Sequence, residues 1–298
     1  MFGSISPEID AVAWINSKPL KLSDLKDKIV LVDFWAYTCI NCQRALPYIK
    51  SWWKKYKDKG FIVIGVHSPE FEFEKDIKNV ENSVKKFNIK YPVAVDSEMK
   101  TWDSFNNHYW PAKYLIKDGE IVYTHFGEGN YEETEKIIQE LLNVKETFES
   151  EKPVSRDILI SPETYAGSLR NMGLGSSQAC SKEGCIYVDP GNHKKDVIYL
   201  NGKWIQKPEY VELISGKGKF AFRFYAKEVN VVMQPVKGKV EGIVTVDGKR
   251  AEGEHVKKGT VAVDEPSMYN VYKSNEYKER ELSIKFEKSV RIYALTFG

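Results

Sequence analysis

The apolar run Leu31-Val32-Asp33-Phe34-Trp35-Ala36 leads into Tyr37-Thr38-Cys39-Ile40-Asn41-Cys42. No other stretch of the chain limits its fold as tightly. The run is short, β-branched and aromatic, which predicts a buried strand. A helix beginning at Cys39 puts Cys42 one turn along it. A thiol at a helix start lies beside unpaired backbone N–H groups and the positive end of the helix dipole, and both favour the thiolate. Cys39 is therefore the expected nucleophile and Cys42 the expected resolving thiol. Asp33 sits inside the apolar run, flanked by Val32 and Phe34. Burial disfavours its charged form and moves its pKa toward the range useful for proton transfer. The alternative is a carboxylate turned to solvent near the strand end. Trp35 either shields the cysteines or fills the core.

The same texture continues to Val144. Ile29–Trp35, Phe61–His67, Pro92–Asp96, Tyr114–Lys117 and Ile121–His125 read as strands. Cys42–Lys57, Lys75–Phe87, Lys100–Asn107 and Tyr131–Leu142 read as helices between and after them. This alternation predicts an α/β domain with a mixed central sheet over residues 1–148. Beyond it the helical period vanishes. Short runs such as Gly184–Val188, Phe220–Tyr225, Val229–Gln234, Val240–Val246 and Glu281–Phe286 are separated by Asn201-Gly202, Lys237-Gly238 and Asp247-Gly248. That spacing predicts an all-β antiparallel sandwich or jelly roll over 152–298, with the boundary near 148–155.

Charge narrows the function classes. The 298 residues carry 44 Lys and Arg against 42 Asp and Glu, a net +2, so no nucleic-acid partner is expected. Mean hydropathy is −0.44, and no apolar run approaches the roughly 20 residues of a membrane helix. Met1 to Pro19 contain Glu8 and Asp10 and lack the pattern of a signal peptide. The expected location is cytoplasmic if the chain is complete, and outside the cytoplasm if it is a mature or excised fragment.

Taken together, Leu31 to Cys42 resemble the active-site strand and turn of the thioredoxin superfamily. Pro47 matches the proline that kinks that family's active-site helix. Trp110-Pro111, before Tyr114-Leu115-Ile116, falls where the family carries its cis-proline. Ser68–Asn88 and Leu22–Lys28 are similar to the TlpA/ResA-like and peroxiredoxin-like branch. Tyr-Thr-Cys-Ile-Asn-Cys together with His67–Lys75 resembles DipZ-type proteins, in which a thioredoxin-like domain precedes a β-rich, carbohydrate-binding-module-like domain. The C-terminal half carries the resemblance on Ser161–Tyr165 and Tyr187–His193.

The resemblance implies a thiol-disulfide oxidoreductase with protein disulfides or dithiols as substrates and a membrane electron donor of the CcdA type. It implies that Asp33 moves a proton while Cys42 attacks. It also implies that Pro111, if cis, presents the Trp110 backbone to substrate beside Trp35, Ile40 and Asn41. No metal or other cofactor is implied, because the electrons reside in the Cys39–Cys42 pair. Thr38 stands where many thioredoxins carry a second tryptophan, and Ile40-Asn41 departs from their Gly-Pro, which leaves the direction of electron flow open.

Alternatives remain on the residues themselves. A Cys-x-x-Cys can be half a zinc site, with Cys180 and Cys185 as the other half, but the flanking strand, helix and later proline favour redox chemistry. A thiol peroxidase needs a proline and a Thr or Ser at fixed positions upstream, and no proline precedes Cys39 in the strand or turn. A binding protein with structural disulfides is the competing class. Cys180 and Cys185, with four residues including a glycine between them, read first as a local disulfide and otherwise as a free pair, a second redox dithiol, or a metal site with His193. Tyr187, Tyr199, Trp204, Tyr210, Tyr225, Tyr269, Tyr272 and Tyr293 would bind glycan if they formed a stacking face, but in strands such residues usually fill a core.

Overall fold

The computed structural model describes residues 4–145, 159–181 and 183–298. It divides into two compact units, Met1–Val154 and Ser155–Gly298. The stretch 148–155 expected at the boundary lies within 146–158, outside the described residues.

The first unit runs β1 (Ser4–Ile5), β2 (Ala13–Ile15), β3 (Ile29–Trp35), α1 (Ile40–Tyr56), β4 (Phe61–His67), α2 (Ile77–Lys86), β5 (Val93–Val95), α3 (Lys100–Ser104), β6 (Ala112–Lys117), β7 (Glu120–Phe126) and α4 (Tyr131–Leu142). Its sheet has the order β1-β7-β6-β3-β4-β5-β2. The β3–β4 and β4–β5 pairs are parallel, whereas β3–β6 and β6–β7 are antiparallel. This is the mixed sheet of a thioredoxin-like fold. Strand β3 lies at its centre and is buried along its whole length, which explains its nearly continuous apolar sequence. Successive side chains point to opposite faces. Val30, Val32 and Phe34 enter a core with Ile64, Trp102 and Tyr114, so Leu31, Asp33 and Trp35 point to the other face. The two short N-terminal strands escape sequence reading because each merely completes a sheet edge.

The second unit is all-β: β8 (Thr164–Tyr165), β9 (Ser177–Ser181), β10 (Gly184–Val188), β11 (Ile198–Gln206), β12 (Val211–Pro235), β13 (Val240–Val246), β14 (Lys249–Arg250), β15 (Val256–Lys257), β16 (Thr260–Val263), β17 (Ser267–Phe286) and β18 (Val290–Phe297). All its strand pairs are antiparallel. One core gathers Trp204, Phe220, Phe222, Phe224, Leu282 and Ile292. The expected strands Phe220–Tyr225 and Val229–Gln234 merge into β12. Irregular pairing at Ala226/Glu228 and Val229/Asn230 lets β12 change course without ending. Among the described residues, no helix is long and apolar enough to cross a membrane.

Candidate active site

Helix α1 starts at Ile40 with Cys39 as its N-cap. Cys39 and Cys42 are joined in a disulfide with their Cα atoms 5.2 Å apart. The Cys42 backbone N–H donates to Cys39 Sγ at 3.1 Å, so an unpaired helical donor meets the sulfur expected to carry charge. Cys39 is partly exposed while Cys42 is only 1% exposed. An incoming sulfur therefore reaches Cys39 first. Ile40 and Asn41 are partly exposed beside it. Pro47 lies inside α1.

Asp33 is buried, and its Oδ1 has no hydrogen-bond partner. Burial pushes its carboxyl up to about 7, against the opposing pull of Lys113. The position directly opposite Asp33 on β6 is Lys113, and on β4 it is Gly65. Lys113 is wholly buried. Its Nζ donates to the Gly127 carbonyl at 3.3 Å and lies 5.7 Å from the Tyr131 ring centre. Burial pushes this ammonium down, while Asp33 and Glu128 hold it up. The unit thus contains a buried acid and base on neighbouring strands, in register. Sequence reasoning found Asp33 and missed Lys113.

Trp35 is a correction. It is 1% exposed and packs edge-on against His67 and Phe87, with centroids at 5.0 and 6.4 Å. It belongs to the core. His67 is equally buried, and burial pushes it down to about 3, so it is neutral. The Trp110–Pro111 peptide is cis. Trp110 is half-buried, packs against Trp102 with ring centres 4.1 Å apart and planes tilted by 32°, and donates its Nε1–H to the Ser68 carbonyl at 3.0 Å. Arg44 pairs with Glu128 at 3.3 Å.

In the second unit, Cys180 and Cys185 stand directly opposite each other on β9 and β10 and form a disulfide. Each cysteine pair is closed on itself. His193, weighed above as a metal ligand, lies between Asp189 and Glu281, with its ring nitrogens 2.6 and 3.1 Å from their oxygens. Tyr187, Tyr199, Trp204, Tyr269 and Tyr293 are buried, so these five make no stacking face. An open groove of about 1130 Å³ instead carries Lys217, Lys219, Lys239, Arg250, Lys285 and Lys288 along its walls together with Asp189, Glu241 and Glu287, which pair with Lys219, Lys239 and Lys217.

Comparison with known proteins places this arrangement. Residues 4–124 match the AhpC/TSA family, and residues 161–298 match the thioredoxin-like C-terminal domain. The thiol-disulfide oxidoreductase ResA of Bacillus cereus is 34% identical over 131 residues, 44% of this chain and 73% of ResA. The chain belongs to the thioredoxin-like thiol-disulfide oxidoreductases. It is also similar along almost its whole length to protein DipZ of Mycobacterium bovis, 32% identical over 309 residues, 98% of this chain. The match takes in 43% of DipZ, so the chain spans less than half of that relative. Among solved structures, a putative thiol:disulfide interchange protein DsbE from Chlorobium tepidum aligns with 47% of this chain and 96% of its own at 25% identity, with a TM-score of 0.41.

Proposed function

We propose that the chain exchanges a Cys39–Cys42 dithiol or disulfide with protein substrates, with 1–148 as the exchange domain and 152–298 as the domain that binds substrate or partner. In the reducing direction, the Cys39 thiolate attacks a substrate disulfide. That S–S bond breaks, a Cys39–substrate disulfide forms and one substrate thiolate leaves. Asp33 accepts the Cys42 proton, directly or through water, and the Cys42 thiolate attacks Cys39 Sγ. The second substrate thiolate is released, so the substrate is reduced and the Cys39–Cys42 pair oxidised. Ile40, Asn41 and the Trp110–Pro111 backbone line the approach of an extended substrate segment. Electrons enter from a membrane carrier of the CcdA type, as the likeness to DipZ implies. The groove of the second unit, with six basic side chains against three acidic ones, suits an acidic protein surface.

One observation carries this assignment. A buried carboxylate, unpartnered at Oδ1 and pushed up to about 7, lies on the strand that leads into a partly exposed Cys39. A purely structural disulfide has no use for such a group. The test is a glutathione titration of the folded chain with Cys180 and Cys185 changed to serine, read by alkylation and mass. Equilibration near about −270 mV assigns a reductase, and near about −120 mV an oxidant. A pair that equilibrates only after unfolding makes Cys39–Cys42 a structural staple and removes the enzyme.

A further inference from the structure

Glu74 is a wholly buried carboxylate that the exchange chemistry above does not use. It lies in the single 3-10 turn Glu72–Lys75, between β4 and α2. Its Oε1 accepts the Thr38 backbone N–H at 3.1 Å and the Thr38 hydroxyl at 2.8 Å. Its Oε2 accepts the backbone N–H groups of Glu70 and Phe71 at 2.7 and 3.2 Å. Four donors thus converge on one side chain from two segments more than thirty residues apart. Thr38 immediately precedes Cys39, whose own N–H closes the turn onto the Ala36 carbonyl at 3.2 Å. The same connection reaches the other half of the site, since the Ser68 carbonyl accepts the Trp110 indole.

We propose that Glu74 is a positioning residue for Cys39: by clamping Thr38 it fixes the turn that presents the nucleophile, and its negative charge opposes formation of the Cys39 thiolate. The role rests on the exchange function proposed above and adds a determinant of its redox balance. A carboxylate held against the residue next to a thiol disfavours a second negative charge there. Removing that charge stabilises the thiolate, hence the reduced protein, and makes the couple more oxidising. The other titratable groups around the clamp are Glu70, whose charge raises Glu74, and His67, which stacks on Tyr37 and is neutral. Burial pushes the Glu74 carboxyl up to about 7, with Glu70 adding to this and the hydrogen bonds from Thr38 and Glu70 opposing it.

The test uses the full chain with Cys42, Cys180 and Cys185 changed to serine, so that alkylation reports on Cys39 alone. With Glu74→Gln, the titration midpoint of Cys39 alkylation is expected to fall by about half a pH unit or more. Glu74→Asp, which keeps the charge, is expected to return it toward the parent value. Coincident midpoints for all three chains overturn the proposal. Should the substitutions prevent folding, carboxyl-¹³C NMR of the unsubstituted chain gives an independent answer. Reciprocity requires Glu74 to titrate higher in the reduced protein than in the oxidised one, and identical titrations overturn the proposal. Glutathione equilibration of the unsubstituted pair separates the two failures. A pair that equilibrates while Glu74 has no influence removes only the role of Glu74, whereas a pair that never equilibrates removes the exchange function.

Discussion

At the scale of the residue, the Asp33–Lys113 pair controls what the site does with pH. Asp33 titrates near 7 when folded, against about 3.9 in an unfolded chain. The folded protein therefore holds an extra proton between about pH 4 and 7. Raising the pH through that window costs stability, and the full cost is present above it. Asp33→Asn removes the cost. The variant is expected to be more stable than the parent at pH 8, by roughly 2–4 kcal/mol, with little difference at pH 4. Urea unfolding at the two pH values checks this. The same substitution removes the proton acceptor for Cys42 and is expected to slow decay of the mixed disulfide about 10²-fold, measured by quenched alkylation.

Lys113→Met deletes the charge that holds Asp33 down. The pH inflection of that same decay is then expected to move above about 7. Asp33 was legible in the sequence because Val32 and Phe34 bracket it. Lys113 was not, because a lysine ahead of Tyr114-Leu115-Ile116 reads as the polar start of a strand. What buries it is the non-local register of β6 against β3. Glu74 stayed hidden for the same reason, since its donors lie on Thr38, far away in the chain.

At the scale of the element, helix boundaries followed local chemistry and long strands did not. Helix α2 starts where Asp76 accepts the Lys78 N–H at 2.9 Å. Asp76→Ala is expected to cost about 1 kcal/mol, seen as a lower urea midpoint at unchanged slope. Helix α4 spans Tyr131–Leu142, the span expected from the sequence. Gly216, with φ at +71°, and Ala226-Lys227-Glu228 have the texture of turns, yet β12 runs through both. Its partners account for the continuity. Residues 211–222 pair with β11, while 229–235 pair with β18, which also pairs with Val211 and Glu212. A strand that exchanges neighbours along its length is set by pairing between distant segments, and no local window of sequence contains that information.

At the scale of the whole molecule, each unit has its own core, and the sequence announced this through the change of texture near residue 150. Trp204 is fully buried in the second core, with its indole N–H bonded to the Asn201 carbonyl at 2.9 Å. Trp204→Ala is expected to cost about 3–5 kcal/mol. In calorimetry this lowers the melting transition of the second unit, while native alkylation of Cys39 keeps its rate. The hairpin of β9 and β10 shows a different kind of economy. Strand β9 ends the path of its sheet, and all of its residues are exposed, so neither burial nor a second neighbour tells it how to align. A slide of one residue would turn Cys180 to the face opposite Cys185. The covalent link forbids that slide. It acts as a lock on alignment, so this exposed edge strand keeps a single ladder and offers no alternative one to a stray chain at its open edge.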